Sequence, residues 1–261
     1  MAETLVLQAA LGGYAAALAG QRWPRRALVM LTLALLLHTA ALALRWQAHG
    51  HGPFTTMHEI LSSNLWSLSL VLAVSAWCLR EVRRALVVAA PVLALMGVWL
   101  LLADARPGHF PATYATPLLY LHTVVGKLFL GLLLVAVALG GVPLLRRWPA
   151  GPQLLARAGS DARLDQLAYR FAAAAFVCES LMLIVGAVWA QDAWGRYWQW
   201  DPLESWAFVT WLALAAALHA RATFRPVPAV FGAWLLGAFV LAFLTFFGVP
   251  FISTAPHKGA L

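Results

Sequence analysis

Long apolar runs, broken by short polar connections that carry Gly, Pro and Arg, follow one another from end to end of the chain. Eight of them, near residues 3–20, 27–45, 60–79, 85–103, 118–144, 167–190, 204–222 and 228–248, reach or approach the about 20 residues that a helix needs to cross roughly 30 Å of hydrocarbon. The connections leave no room for a separate soluble domain. The pattern therefore predicts an all-α polytopic integral membrane protein with about eight transmembrane helices, residues 1–261 forming a single domain. The first run is the least apolar and holds Gln8. No basic leader or small-residue cleavage site marks it, so it is expected to be a span and not a cleavable signal peptide.

Composition agrees with this class. Apolar residues make up 62% of the chain and charged residues 11%, against roughly 45–50% and about 25% in ordinary globular domains. The mean hydropathy is +0.78. A soluble core of this size has no room for so much apolar surface, which excludes a soluble enzyme, and a disordered chain is far more polar. The net charge of +8 raises the question of an acidic partner, but the arginines answer it by position. Arg22, Arg25, Arg26, Arg80, Arg83, Arg84, Arg146, Arg147, Arg157, Arg163, Arg221 and Arg225 fall at alternate connections, and only Arg45, Arg106, Arg196 and Lys258 fall on the opposite side. Under the positive-inside rule the first set faces the cytoplasm. Both termini then face outward, together with segments 46–59, 104–117, 191–203 and 249–261. The expected setting is the bacterial inner (plasma) membrane with these segments in the periplasm, or a thylakoid membrane with them in the lumen. No nucleic acid partner is implied.

The chemistry-bearing residues narrow the function. Cys78 and Cys178 are far apart, so there is neither a CxxC redox pair nor a CxxCH haem-attachment site. No Gly-rich phosphate loop points to an ATPase. His49, His51 and His58 fall in the first outward segment and His109 in the second. His122 sits at the outer mouth of the fifth span and His257 in the outward tail. Only His38 and His219 lie within spans, and the arginine-rich connections contain no histidine.

The segment from Trp194 to Trp206 packs Trp194, Tyr197, Trp198, Trp200 and Trp206 among Gly195, Arg196, Asp201 and Glu204. An interfacial aromatic belt accounts for one or two tryptophans per helix end, not for this density. Flat indole faces suit stacking on a large planar π ligand, and Arg196 suits a carboxylate on it. Asp201 followed by Pro202 and Glu204 predicts a helix start with an Asp cap. An aromatic shelf on a helix start, flanked by outward histidines, points to haem.

These residues carry a resemblance. Trp194-Gly-Arg-Tyr-Trp-Gln-Trp-Asp-Pro-Leu-Glu-Ser-Trp206, continued by Thr210-Trp-Leu-Ala-Leu-Ala-Ala-Ala-Leu-His219-Ala-Arg221, resembles the WWD loop (about 191–206) of haem-handling cytochrome c biogenesis proteins. CcmC and CcmF share the tryptophans, but the Pro202-Leu-Glu-Ser-Trp206 continuation resembles the CcsA type more. Leu37-His38-Thr39, Leu44-Arg45-Trp46, Gly50-His51-Gly52-Pro53, Leu121-His122-Thr123 and the tail from Phe247 to Gly259 resemble further family segments. Thr56-Met57-His58-Glu59-Ile60 departs from the family's Asn-x-Tyr-Glu-Ser. The resemblance implies that haem b is bound and presented outward for covalent attachment to the CxxCH of apocytochrome c. The chain would then be a component of a system II type cytochrome c synthase with a CcsB-type partner. It further implies His122 and His257 as axial ligands. The shelf residues Trp194, Arg196, Tyr197, Trp198, Trp200, Asp201 and Trp206 would lie around the haem. His219 would be a ligand for a second haem within the membrane, completed by His38 or by the partner. The alternatives are a HemX-like haem-binding regulator without attachment activity and a small-molecule transporter, the latter lacking evident inverted repeats. Lys127 and Glu179, of opposite sign and similar depth, are expected to pair as a structural bridge, with a haem-propionate or proton role as the alternative.

Overall fold

The structure is a computed structural model that describes residues 2–108, 110–149 and 151–252. Ten α-helices are present among them: α1 (Ala2–Ala19), α2 (Pro24–His49), α3 (Met57–Cys78), α4 (Arg80–Leu102), α5 (Pro117–Leu145), α6 (Gly151–Leu155), α7 (Asp161–Trp194), α8 (Pro202–Phe224), α9 (Pro228–Phe247) and α10 (Val249–Ile252). All but α6 and α10 are long and apolar enough to cross a membrane, and they coincide with the eight predicted runs. The chain is an integral membrane protein. Large apolar side chains such as Leu36, Leu102 and Ile184 lie on its outside, where lipid is their solvent.

Helices α2, α5, α7 and α8 overrun their apolar runs at both ends. α7 has 34 residues, about 51 Å at 1.5 Å per residue, against roughly 30 Å of hydrocarbon. Its polar start is capped by Ser160, which accepts from Arg163 N, and its end is closed by Gly195 in the left-handed region at φ 73. Hydropathy marks the membrane slab, whereas caps mark the helix.

α5 is the central helix. It packs on α7, α9, α3 and α4, and nearly every residue from Phe129 to Pro143 is buried. Its crossing with α9 is close because neither chain carries a side chain there: a Cβ added at Gly232 would lie 2.0 Å from the Gly140 carbonyl oxygen. Small residues at such crossings substitute tight packing for the hydrophobic effect that lipid removes.

The predicted arginine set lies at the end formed by the α1–α2, α3–α4, α5–α7 and α8–α9 connections. There Arg221 Nε donates to Asp165 at 2.9 Å, Arg163 reaches Glu81 at 3.1 Å, and Arg146 bonds Asp161 and the carbonyls of Leu155 and Gly159. We call the opposite end outer. It is tied by a buried polar hub that sequence inspection gave no reason to expect. Arg45 on α2 donates to Glu59 on α3 at 2.9 Å, to Glu3 on α1 at 3.1 Å and to the Ala105 carbonyl at 3.2 Å. Glu59, fully buried, also accepts from Thr55 N and Thr55 Oγ1 at 2.9 and 2.7 Å. Three helices and two connections are thereby held in register.

The expected Lys127–Glu179 bridge does not form. Lys127 Nζ donates to Ser63 Oγ on α3 at 2.8 Å. Both Glu179 carboxyl oxygens are buried without a hydrogen-bond partner among the described residues. Similar depth is not similar direction. Gly126 faces Met182 of α7 and Phe246 of α9, and the next residue along a helix points about 100° away, which turns Lys127 toward α3.

Removing one member of a buried ion pair strands the other charge. Glu59→Ala is expected to destabilise the detergent-solubilised protein by about 3–5 kcal/mol, seen as a lower-temperature unfolding transition. An unchanged transition would show that the hub does not hold the outer end together.

Candidate functional site

A cavity of about 220 Å³ opens at the outer end between α3, α5, α7, α8 and α9. Each of the four segments predicted to face outward contributes to it: Phe54 from the first, Tyr114 from the second, Tyr197 and Trp198 from the third, and Pro250 from the fourth. Ile60, Leu119, Met182, Leu183 and Phe246 supply apolar wall, and Ser63, Asn64 and Lys127 a polar floor.

His122 lines the cavity from α5. Its Nδ1 lies 3.0 Å from the Met182 carbonyl oxygen on α7. A carbonyl only accepts, so this bond requires Nδ1–H and puts the ring lone pair on Nε2, the nitrogen a metal would use. Such a carbonyl partner is the usual way a ligating imidazole is oriented and made more basic. Two further contacts fix the ring plane. Trp189 stacks on it with centroids 6.1 Å apart and planes 27° apart, and Trp189 is itself tied to the Thr113 carbonyl at 3.1 Å. Gly186 sits directly beneath, where an added Cβ would come within 2.8 Å of Cε1 and Nδ1. Helix α7 thus presents a carbonyl, a bare backbone and an indole to one histidine.

The aromatic segment is split between cavity and surface. Tyr197 and Trp198 line the cavity, and Trp198 Nε1 is buried without a hydrogen-bond partner among the described residues. Trp194 stands one layer back, edge-on to Trp189 at 4.9 Å. Trp200 takes the left-handed conformation at φ 59, unusual for a bulky residue. Its ring lies 65% exposed against Trp198 and Phe208, at 5.6 and 5.8 Å. Trp206 is half-buried on α8 outside the cavity lining. Arg196 is exposed and likewise outside the lining.

The predicted helix start is present in full. Asp201 Oδ1 accepts from Glu204 N at 2.8 Å, and Glu204 Oε2 accepts from Asp201 N at 3.3 Å, a capping box with Pro202 in the first turn. Glu204 Oε2 also accepts from Gln199 N at 2.8 Å. Both carboxylates of this stretch therefore hold its own backbone. Burial pushes the Tyr114 phenol above its ordinary pKa, so it stays protonated in the wall.

The remaining predicted ligands lie elsewhere. His38 is fully buried between Tyr14 Oη at 3.1 Å and Ser62 Oγ at 2.9 Å. It belongs to α2, which packs on α1, α3 and α4, whereas His219 is exposed on α8, which packs on α7, α9 and α10. The structure does not bring the two together. Of the first outward histidines, His51 is buried with its ring stacked 5.0 Å from that of Phe110, and His58 is buried with Nδ1 unpartnered among the described residues. His109 and His257 lie outside the described residues. Sequence inspection missed Phe54, Tyr114, Trp189 and Gly186. The only signal for the first three is that they are aromatics in or next to the outward segments, and nothing in the sequence marks Gly186.

Comparison with known proteins gives the family. The sequence profile of the family described as Cytochrome C assembly protein matches residues 27–257. The cytochrome c biogenesis protein CcsA of Parasynechococcus marenigrum is 31% identical over 228 residues, covering 74% of this chain and 72% of that one. CcsA of Guillardia theta is 45% identical over a shorter stretch of 98 residues, 36% of this chain and 32% of the relative. Among solved structures, the cytochrome c haem lyase CcmF superposes with a TM-score of 0.70 at 18% identity, over 94% of this chain. This chain spans 46% of CcmF, so the likeness is one of fold. By the profile match and the extent of the CcsA alignments, the chain belongs to the cytochrome c assembly protein family, among its CcsA-type members.

Proposed function

We propose that this chain binds haem b in the outer cavity and presents it at the outer face of the membrane for attachment to apocytochrome c. The observation that carries the reading is the convergence of the WWD loop and His122 on one largely apolar cavity. The lining fits haem in its chemistry: an oriented imidazole for iron, and indole and phenol faces and edges for the macrocycle. A tetrapyrrole there would be bordered by Tyr197 and Trp198 of the WWD loop.

Each residue then has a task. His122 holds the iron from α5, kept in its tautomer by the Met182 carbonyl. Trp189 and Gly186 hold the imidazole plane. Tyr197 and Trp198 cover the macrocycle and keep water from it. Asp201 and Glu204 act by fixing the loop that carries these aromatics. His257 would supply a second ligand to the iron. Attachment itself is chemistry between the vinyl groups of haem and the CxxCH thiols of the substrate, so the protein's contribution is positioning. His219, exposed on α8, binds a second haem whose other ligand comes from a CcsB-type partner, because both ring nitrogens of His38 already have hydrogen-bond partners. The arginine end faces the cytoplasm, which puts the cavity on the periplasmic or lumenal side.

The protein purified from haem-replete cells is expected to show a Soret band that weakens strongly in His122→Ala and returns with added imidazole. A spectrum unaffected by His122→Ala would remove this histidine from the site. Gly186→Ala is expected to do nearly the same without touching a ligand, because its methyl displaces the ring. Full haem occupancy in Gly186→Ala would mean that the ring orientation does not matter. Haem bound normally, but no cytochrome c maturation with a CcsB-type partner, would favour the HemX-like regulator.

A further inference from the structure

The cavity has an electrical direction. At its mouth stands Glu204, a carboxylate already accepting two backbone N–H groups. At its floor stands Lys127, the one Lys or Arg among the described residues of the lining. An ammonium offers three donors, and among the described residues Lys127 uses one, to Ser63 Oγ. A cation at this depth is costly to keep in a membrane protein unless something pairs with it. Glu179, the carboxyl that the sequence suggested, does not. The Ser63 hydroxyl is a neutral partner and leaves the charge unmatched.

We propose that Lys127 is the receptor for a carboxylate of the bound tetrapyrrole, so that haem enters propionate edge first. This rests on the haem reading above. Lys127 lies five residues beyond His122 on the same helix, about 7.5 Å further along the axis at 1.5 Å per residue, a separation of the order of the macrocycle's radius. With its iron on His122, a ring lying along α5 would bring one edge to the level of Lys127. Haem carries its vinyl groups on the edge opposite its propionates. Anchoring the propionates at the floor turns the vinyl groups to the mouth, where the thiols of an apocytochrome arrive. The charged floor thus sets the orientation that attachment needs. The opposite orientation, with the propionates outward on the exposed Arg196, would bury the reactive edge.

Neutralising the ligand's carboxylates tests this. Purified protein is titrated with haemin and with haemin dimethyl ester, both followed by the Soret band. Wild type is expected to prefer the diacid by roughly tenfold to a hundredfold, the worth of one charge-assisted hydrogen bond. Lys127→Met is expected to lose that preference by weakening haemin binding, with the ester nearly unaffected. The unchanged ester titration shows at the same time that the variant is folded. Arg196→Gln is expected to keep the preference. A preference retained in Lys127→Met, absent in wild type, or lost in Arg196→Gln instead overturns the proposal while leaving the haem reading intact. Wild type that binds neither compound overturns both.

Discussion

Helices α5 and α7 approach each other so closely at Gly186 that the His122 imidazole lies over bare backbone, and the outer cavity depends on that approach. It brings the Met182 carbonyl within 3.0 Å of Nδ1 and sets Trp189 beside the ring. It also aligns the outer end of α7 with the loop that follows, so that Tyr197 and Trp198 close over the same space. The capping box of α8 fixes the far end of that loop. The site therefore stands between two rigid helix termini, although its aromatics come from a connection.

Lipid supplies the second constraint. A polar group within the bundle has no water to fall back on, so it needs a partner inside the protein. The Arg45–Glu59 hub meets this requirement fully at the outer end, and His38 meets it between Tyr14 and Ser62. Among the described residues the requirement is met only in part at Lys127 and not at all at Glu179. That contrast separates polar groups that hold the fold from those left over for something else, and Lys127 lines the cavity while His38 and the hub do not.

The sequence made depth legible and left direction hidden. All eight spans follow from the apolar runs, because lipid demands their length. The Asp201, Pro202 and Glu204 helix start follows as well, because capping is local chemistry. The side-by-side placement of the four outward segments follows from alternation alone. Contacts across helices do not. The Lys127–Glu179 bridge failed because equal depth on two helices leaves their rotation open. Gly186 carries no pattern signal, since its role appears only once α5 lies against it. Met182 reads as packing, and the group that matters is its backbone. The Arg45–Glu59 hub joins residues fourteen apart through a loop whose path has no periodicity to read.

The central claim is that the WWD loop and His122 form one haem site at the outer end. An experimentally determined structure of the haem-loaded protein in lipid tests it most directly. The predicted result is a macrocycle in the outer cavity, with iron on His122 Nε2, Trp198 against the ring and a propionate at Lys127. Haem found only near His219, with the outer cavity empty and His122 bound to protein alone, would contradict it.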